Sequence, residues 1–98
     1  MTPPLSLRSK AKAEIQEAYD YYERQRSGLG NQFLLAVRRT LALVEKTPLL
    51  YPKIRKEVRR APVPRFPYAI LYLAEPENTV VVACFHGRRN PKRWHSRN

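Results

Sequence analysis

The sequence predicts an α+β fold in which an N-terminal strand and a helical hairpin pack with a small antiparallel β-sheet. In the first half of the chain, two stretches carry apolar residues at helical spacing. In the second half, apolar runs of strand length alternate with proline-rich and charged breaks. With 98 residues, the chain is expected to form one domain over residues 1–98.

A short strand and a first helix are predicted at the N-terminus. Residues 5–8 alternate apolar with polar, which favours a half-buried strand, and Ser9 is then placed to cap the helix that follows. The helix is predicted over 10–26, and the glycines of Ser27-Gly28-Leu29-Gly30 end it. One face is apolar and the opposite face is acidic. The apolar residues are Ala11, Ile15, Ala18, Tyr19 and Tyr22, and the acidic ones are Glu14, Glu17, Asp20 and Glu23.

The second helix is predicted over 31–46, because Pro48 cannot continue it. Its apolar arc is wide, flanked by Ala36 and Leu43, so we expect it to pack on both the first helix and the sheet. Two apolar residues, Leu35 and Ala42, fall on the polar side of the helix instead, among arginines. Either they are ordinary exposed side chains or they form a groove for a partner. This stripe consists of Leu35, Arg38, Arg39 and Ala42.

Three strands and a basic tail are predicted for the second half of the chain. Pro62 and Pro64 place the first of these strands at the sheet edge, because proline cannot donate a ladder hydrogen bond. The next two strands are apolar on both faces, which is typical of central strands. The predicted segments are a connection at 49–56, an edge strand at 57–63, a central strand at 66–73, a hairpin loop at 75–78, its partner strand at 79–86 and a tail from 87 to 98.

Charge and composition narrow the possible partners. The formal net charge is +11, which attracts nucleic acid or an acidic protein surface. No apolar run reaches the roughly 18–20 residues of a membrane span, so no membrane association is expected. A single cysteine excludes an internal disulfide and favours the cytoplasm. The tail holds five basic residues and no acid. We expect Arg88, Arg89 and Arg93, anchored by Trp94, to form a cationic surface for a target.

Little in the sequence indicates catalysis. Cys84, His86 and His95 show no metal-site spacing, so no metal or cofactor is expected, and Cys84 is interpreted as a core residue. RNA cleavage is the one reaction that the composition could support, because it needs a proton shuttle beside cations. Its candidate residues are His86, Arg60, Arg88 and Tyr68. The alternative, which we favour, is that His86 caps the sheet through a hydrogen bond and that the arginines are solvated or bind a partner.

The order of elements and several short motifs resemble the ParE branch of the RelE/ParE toxin superfamily, over nearly the whole chain. Each motif is short, and their shared order carries the resemblance. The most specific piece is the ending, from Ala83-Cys84-Phe85-His86-Gly87 to Arg93-Trp94. The other motifs are Ala13-Glu14-Ile15, Tyr21-Tyr22, Gly28-Leu29-Gly30 with Phe33, Pro48 with Tyr51-Pro52, Arg59-Arg60, Phe66-Pro67-Tyr68 and Ile70-Leu71-Tyr72.

The resemblance implies a toxin of a type II toxin–antitoxin module, silenced by a cognate antitoxin. ParE-type members inhibit DNA gyrase without hydrolysing anything, whereas RelE-type relatives cut mRNA on the ribosome. RelE-type enzymes use a basic cluster with a Tyr, or a His and an acid, near the C-terminus. Here no Tyr follows His86, and Lys53, Lys56 and Glu57 match that cluster only loosely. The non-enzymatic, gyrase-directed function is therefore favoured over mRNA cleavage, and a partner-binding module without toxicity is the third alternative.

Overall fold

Two helices pack on one face of a five-stranded sheet in the computed structural model, which describes residues 4–87. The predicted α+β class and the order of strand, helical hairpin and strands are confirmed. The elements are β1 (Leu5–Leu7), α1 (Ser9–Gln25), α2 (Leu29–Lys46), β2 (Lys53–Arg55), β3 (Val58–Pro62), β4 (Tyr68–Glu75) and β5 (Asn78–His86).

The sheet is mixed, with strand order β1-β5-β4-β3-β2. Strands β2 to β5 are antiparallel as predicted, but β1 runs parallel to β5, with Leu5 opposite Thr79 and Leu7 opposite Val81. The sequence assigned no direction to the first strand, and its parallel pairing makes the sheet mixed. The long connection through both helices and three strands lets β1 enter the sheet in this direction.

Strand β3 is not at the sheet edge, which corrects the sequence prediction. The predicted connection at 49–56 contains the three-residue strand β2, and β2 pairs with Val58 and Arg59 of β3. Pro62 nevertheless fits, because it lies beyond the end of β2, on a part of β3 that pairs only with β4. The missing proline N–H therefore costs no ladder hydrogen bond.

The helix boundaries differ slightly from the predicted ones: α1 begins and ends one residue earlier, and α2 begins two residues earlier. Arg8, not Ser9, occupies the N-cap position of α1, and no side chain caps the helix there. Arg8 donates its N–H to Val81 O at 3.0 Å, so the N-cap residue itself continues the hydrogen bonding between β1 and β5. Helix α2 begins at Leu29, after Gly28 with a φ of 91°, and ends at Lys46 as predicted.

The core lies between the helices and the sheet. The apolar face of α1 is confirmed, since Ala11, Ile15 and Ala18 are buried, and α2 packs against α1, β3 and β4 as its wide arc predicted. A second, smaller apolar cluster lies on the opposite sheet face and consists of Val58, Leu71, Ala83 and Phe85. The helix-side cluster includes Phe33, Val37, Val44, Ala61, Tyr68, Ile70, Tyr72, Val81 and Cys84.

An irregularity in the β4–β5 register decides which side chains of β5 face the helices. Tyr72 lies opposite Val81 while Leu71 lies opposite Ala83, so Val82 is an extra residue between the two pairs. Because of this bulge, Val81 and Cys84 both face the helices, although an uninterrupted strand would place them on opposite faces. The side chain of Cys84, near the end of β5, therefore lies on the face of the sheet that α1 covers.

Candidate functional site

A cleft of about 690 Å³ lies between α1 and the open end of the β4–β5 hairpin, where β4 begins and β5 ends. Its α1 wall is acidic, and its other wall consists of aromatic and strand residues. The lining includes Glu14, Glu17, Asp20, Tyr21, Tyr22, Arg24, Tyr68, Cys84 and His86. The cleft therefore holds three of the eight acidic residues of a strongly basic chain.

Glu14 connects the two walls of the cleft. Its Oε1 accepts a hydrogen bond from the backbone N–H of Cys84 at 3.1 Å. Strand β1 ends at Leu7, opposite Val81. The residues of β5 after Val81 therefore have no partner strand on the β1 side. A carboxylate from α1 satisfies the N–H that the ladder does not reach. Helical periodicity had assigned Glu14 to a polar face and gave no sign of this contact.

Cys84 is buried, as the sequence analysis expected, with 2% of its surface exposed. Burial, together with the nearby Glu14 carboxylate, raises the pKa of its thiol to about 12. Because the thiolate is the nucleophilic form, this cysteine is poorly suited to covalent chemistry near neutral pH. Its role in the cleft is structural.

We expect the Cys84 thiol to resist dithionitrobenzoate in the folded protein at pH 8 and to react once guanidinium unfolds the chain. The raised pKa also makes the free energy of unfolding depend on pH. The protonated thiol contributes its full stabilisation below the ordinary cysteine pKa, and this stabilisation is lost as the pH rises toward 12. Wild type should therefore lose more stability than Cys84→Ala between pH 9 and about 11. Rapid modification of the folded protein would contradict the buried placement.

The nuclease candidates are divided between the two faces of the sheet. His86 and Tyr68 pair across β4 and β5 on the helix side, with ring centroids 4.9 Å apart in an edge-to-face arrangement. Arg60 lies opposite Leu71 and therefore faces the other side. Arg88 lies outside the described residues. The Arg60 guanidinium nevertheless reaches the end of β5, because its Nη2 lies 4.0 Å from a Cβ built on Gly87, the residue after His86.

Tyr68 belongs to an aromatic cluster beneath α1. It is 8% exposed, and its ring lies 5.2 Å from Phe33 and 6.2 Å from Tyr22, with Phe66 completing the cluster. Edge-to-face packing of this kind stabilises a core. The surroundings of Tyr68 therefore favour a packing role over proton transfer.

The stripe predicted for antitoxin binding lies on the exposed surface of α2. Leu35, Arg38, Arg39 and Ala42 are all exposed, while the core-facing side of the same helix is buried. The target-binding residues predicted in the tail, Arg88, Arg89, Arg93 and Trp94, lie outside the described residues.

Sequence analysis missed several other exposed apolar residues. Leu43 was expected at the flank of the buried arc of α2, but 49% of it is exposed, so the sheet covers less of the helix than the arc predicted. Leu49, Leu50 and Ile54 are also exposed, in the segment interpreted as a connection. The Leu49-Leu50 pair directly after Pro48 was the available signal.

Two side chains hold this connection against the sheet. The Tyr72 hydroxyl donates to Pro48 O at 2.7 Å, and Arg59 Nη1 donates to Tyr51 O at 2.6 Å and more weakly to Leu49 O at 3.4 Å. Burial raises the pKa of the Tyr72 phenol, so the hydroxyl that donates this bond keeps its proton to a higher pH than an exposed tyrosine would. These hydrogen bonds connect the backbone of residues 48–51 to β3 and β4.

Within residues 4–87, no group of three or more His, Cys, Asp or Glu side chains is arranged to hold a metal ion. Neither helix in that range is long and apolar enough to cross a membrane.

Comparison with known proteins identifies the family. Residues 5–91 match the model of the ParE toxin of the type II toxin–antitoxin system parDE. A solved structure of the chromosomal ParDE toxin–antitoxin system from P. aeruginosa matches with a TM-score of 0.66 at 18% identity, covering 87% of this chain and 96% of that one, which shows a shared fold. No curated protein sequence matches. Since the family match spans nearly the whole chain, the protein belongs to the ParE toxin family of type II toxin–antitoxin systems.

Proposed function

We propose that this toxin acts in the cytoplasm by inhibiting DNA gyrase and is neutralised by a cognate antitoxin. The observation that carries the proposal is the family match over residues 5–91, which includes most of the ending that resembles ParE-type toxins. Gyrase inhibition is the activity that this resemblance implies. It requires a binding surface and no catalytic group.

The arrangement of the described residues supports a non-enzymatic toxin. A ribonuclease needs a base, an acid and a cation around one phosphate. Here Tyr68 is packed in an aromatic cluster and is poorly placed to transfer a proton, although the Arg60 guanidinium lies near Gly87 at the end of β5.

The antitoxin half of the proposal rests on charge and on the exposed stripe of α2. A chain with a net charge of +11 has a long-range attraction for an acidic partner, which speeds encounter. Leu35 and Ala42 then offer apolar contact between arginines. We infer that the antitoxin presents an acidic, amphipathic segment to this stripe.

Labelled-precursor incorporation in a host lacking antitoxin tests the activity. After induction of the toxin, we expect thymidine incorporation to stop first, because gyrase inhibition blocks replication before translation. The nuclease alternative predicts the opposite order: methionine incorporation stops first, mapped mRNA 5′ ends accumulate, and His86→Ala abolishes both. That second pattern would overturn the proposal.

Copurification tests the antitoxin. The product of the adjacent open reading frame is expected to form a complex with this chain at micromolar concentration and physiological salt, and to raise its melting temperature, because a ligand that binds only the folded state stabilises it. Weakening of the complex at higher salt would support the charge argument. Absence of any complex under these conditions would contradict the antitoxin half of the proposal.

A further inference from the structure

The cleft beneath α1 has an acidic wall, although the chain carries a net charge of +11. We call Glu14, Glu17 and Asp20, which line the cleft from α1, the acidic wall; Arg24 lines the cleft beside them. Among the described residues, no cation pairs with Glu17, and the bond that Asp20 accepts comes from the neutral Gln16, at 3.0 Å. The acidic wall is therefore open to a basic ligand.

We propose that the acidic wall binds the basic tail of the same chain, with residues 88–94 lying along the cleft. This inference does not depend on which target the toxin inhibits. The tail carries five basic residues and no acid, so its charge complements the wall. Tyr21, Tyr22 and Tyr68 line the cleft beside the acids, and 49% of Tyr21 is exposed. Arginine suits such a cleft, because its guanidinium pairs with carboxylates and also stacks on aromatic rings.

The direction of β5 leads the tail toward the acidic wall. Glu14 accepts its hydrogen bond from the N–H of Cys84, at 3.1 Å. Tyr22, about two turns further along α1, has its ring centroid 6.2 Å from that of Tyr68, which pairs with His86, two residues further along β5. Helix α1 and strand β5 thus advance in the same direction. Because His86 itself lines the cleft, the tail starts beside the second half of α1.

The tail is long enough to follow the whole acidic wall. From its first acid to Arg24, the wall rises about 15 Å along α1. Residues 88–94 cover up to about 20 Å when extended. Two other exposed acids near β5, Glu75 and Glu77, lie at the turn that precedes this strand, about 26 Å from its end. The acidic wall is therefore far closer to the start of the tail than that turn is.

The exposure of the acids makes this docking reversible. Glu17 and Asp20 are both exposed, and ion pairs between exposed groups are weak and are screened by salt. The tail therefore binds the cleft at low salt and leaves it at high salt, or when a more acidic surface competes for the same arginines. Weak docking also agrees with a domain that folds without its tail.

The fluorescence of Trp94, the one tryptophan of the chain, tests the docking. At low salt we expect the docked ring to resist quenching by acrylamide, because the cleft shields it from solvent. Glu17→Gln combined with Asp20→Asn should raise the quenching constant at least ~twofold, and salt at about 0.5 M should do the same to wild type but not to this variant. Glu75→Gln combined with Glu77→Gln is the matched control. It removes the same charge at the far end of β5 and should leave the quenching unchanged.

Circular dichroism controls for folding, because all four replaced acids are exposed and their loss should shift the melting temperature by only a few degrees. Quenching that neither the Glu17 and Asp20 variant nor salt changes would overturn the inference, as would an equal rise in both charge variants. If the protection of Trp94 in wild type disappears on dilution, the tail binds the acidic wall of a second copy, and docking within one chain is wrong.

Discussion

Gly30→Ala is expected to lower the free energy of unfolding by about 2 kcal/mol, after allowing for the ~1 kcal/mol that alanine gains over glycine in a helix. A Cβ on Gly30 would lie 2.6 Å from Glu23 Cγ and 2.8 Å from Tyr19 O. The carbonyl belongs to the α1 backbone, so relief requires moving one helix against the other. For a domain of this size the melting temperature should fall by roughly 10 °C.

The same contact fixes the start of α2. Glu23 Oε1 accepts hydrogen bonds from Gly28 N–H and Gly30 N–H, both at 2.9 Å. These are N–H groups that the helix itself cannot satisfy, and a carboxylate at a helix N-terminus is favourable. Displacing Glu23 would therefore remove the hydrogen bonds that cap α2 and also disturb the packing of α2 against α1.

Gly28→Ala is the matched control for this prediction. Gly28 has a φ of 91°, but no atom lies within 4 Å of a Cβ built there, so its cost comes from backbone strain alone, about 1 kcal/mol. Thermal denaturation followed by circular dichroism measures both variants. Equal, small losses in the two would contradict the close helix crossing at Gly30.

Truncation after Gly87 is expected to abolish toxicity and to preserve a cooperative thermal transition. The removed segment carries Arg88, Arg89 and Arg93 with no acidic neighbour in the tail, a composition suited to a carboxylate- or phosphate-rich target. Residues 4–87 already contain the sheet, both helices and two apolar clusters. Growth of a host lacking antitoxin measures toxicity.

Two full-length variants identify which part of the tail matters. Replacing Arg88, Arg89 and Arg93 together by glutamine should remove toxicity while leaving the melting temperature within a few degrees, about the effect of surface substitutions. Trp94→Ala tests the predicted anchor. Full toxicity from the truncated chain would refute a functional tail, whereas loss of the thermal transition on truncation and with Trp94→Ala would show that the segment is structural.

Sequence periodicity predicted the fold because it reports which residues share a face. It could not report which partner a polar residue meets. Glu14 and Glu23 fell on the same predicted acidic face, yet Glu14 bonds to a strand 70 residues away and Glu23 caps the next helix. Strand β2 was missed because three residues are too few to show alternation.

The candidate site was harder to predict, because it depends on which face of the sheet each side chain of β5 occupies. The extra residue Val82 changes which side chains of β5 face the helices, and nothing in a run of valines marks a bulge. Pairing then placed His86 and Arg60 on different faces. The exposed stripe of Leu35 and Ala42 was recognisable because basic neighbours surround it, whereas Leu43 looked like a core residue by spacing alone.

Supercoiling of relaxed plasmid by purified gyrase tests the central claim most directly. We predict that the purified toxin inhibits supercoiling in proportion to its concentration, that the product of the adjacent open reading frame restores it, and that the tail glutamine variant does not inhibit. Undiminished supercoiling at a large molar excess of toxin, together with newly cleaved mRNA in a parallel translation reaction, would contradict a gyrase-directed toxin.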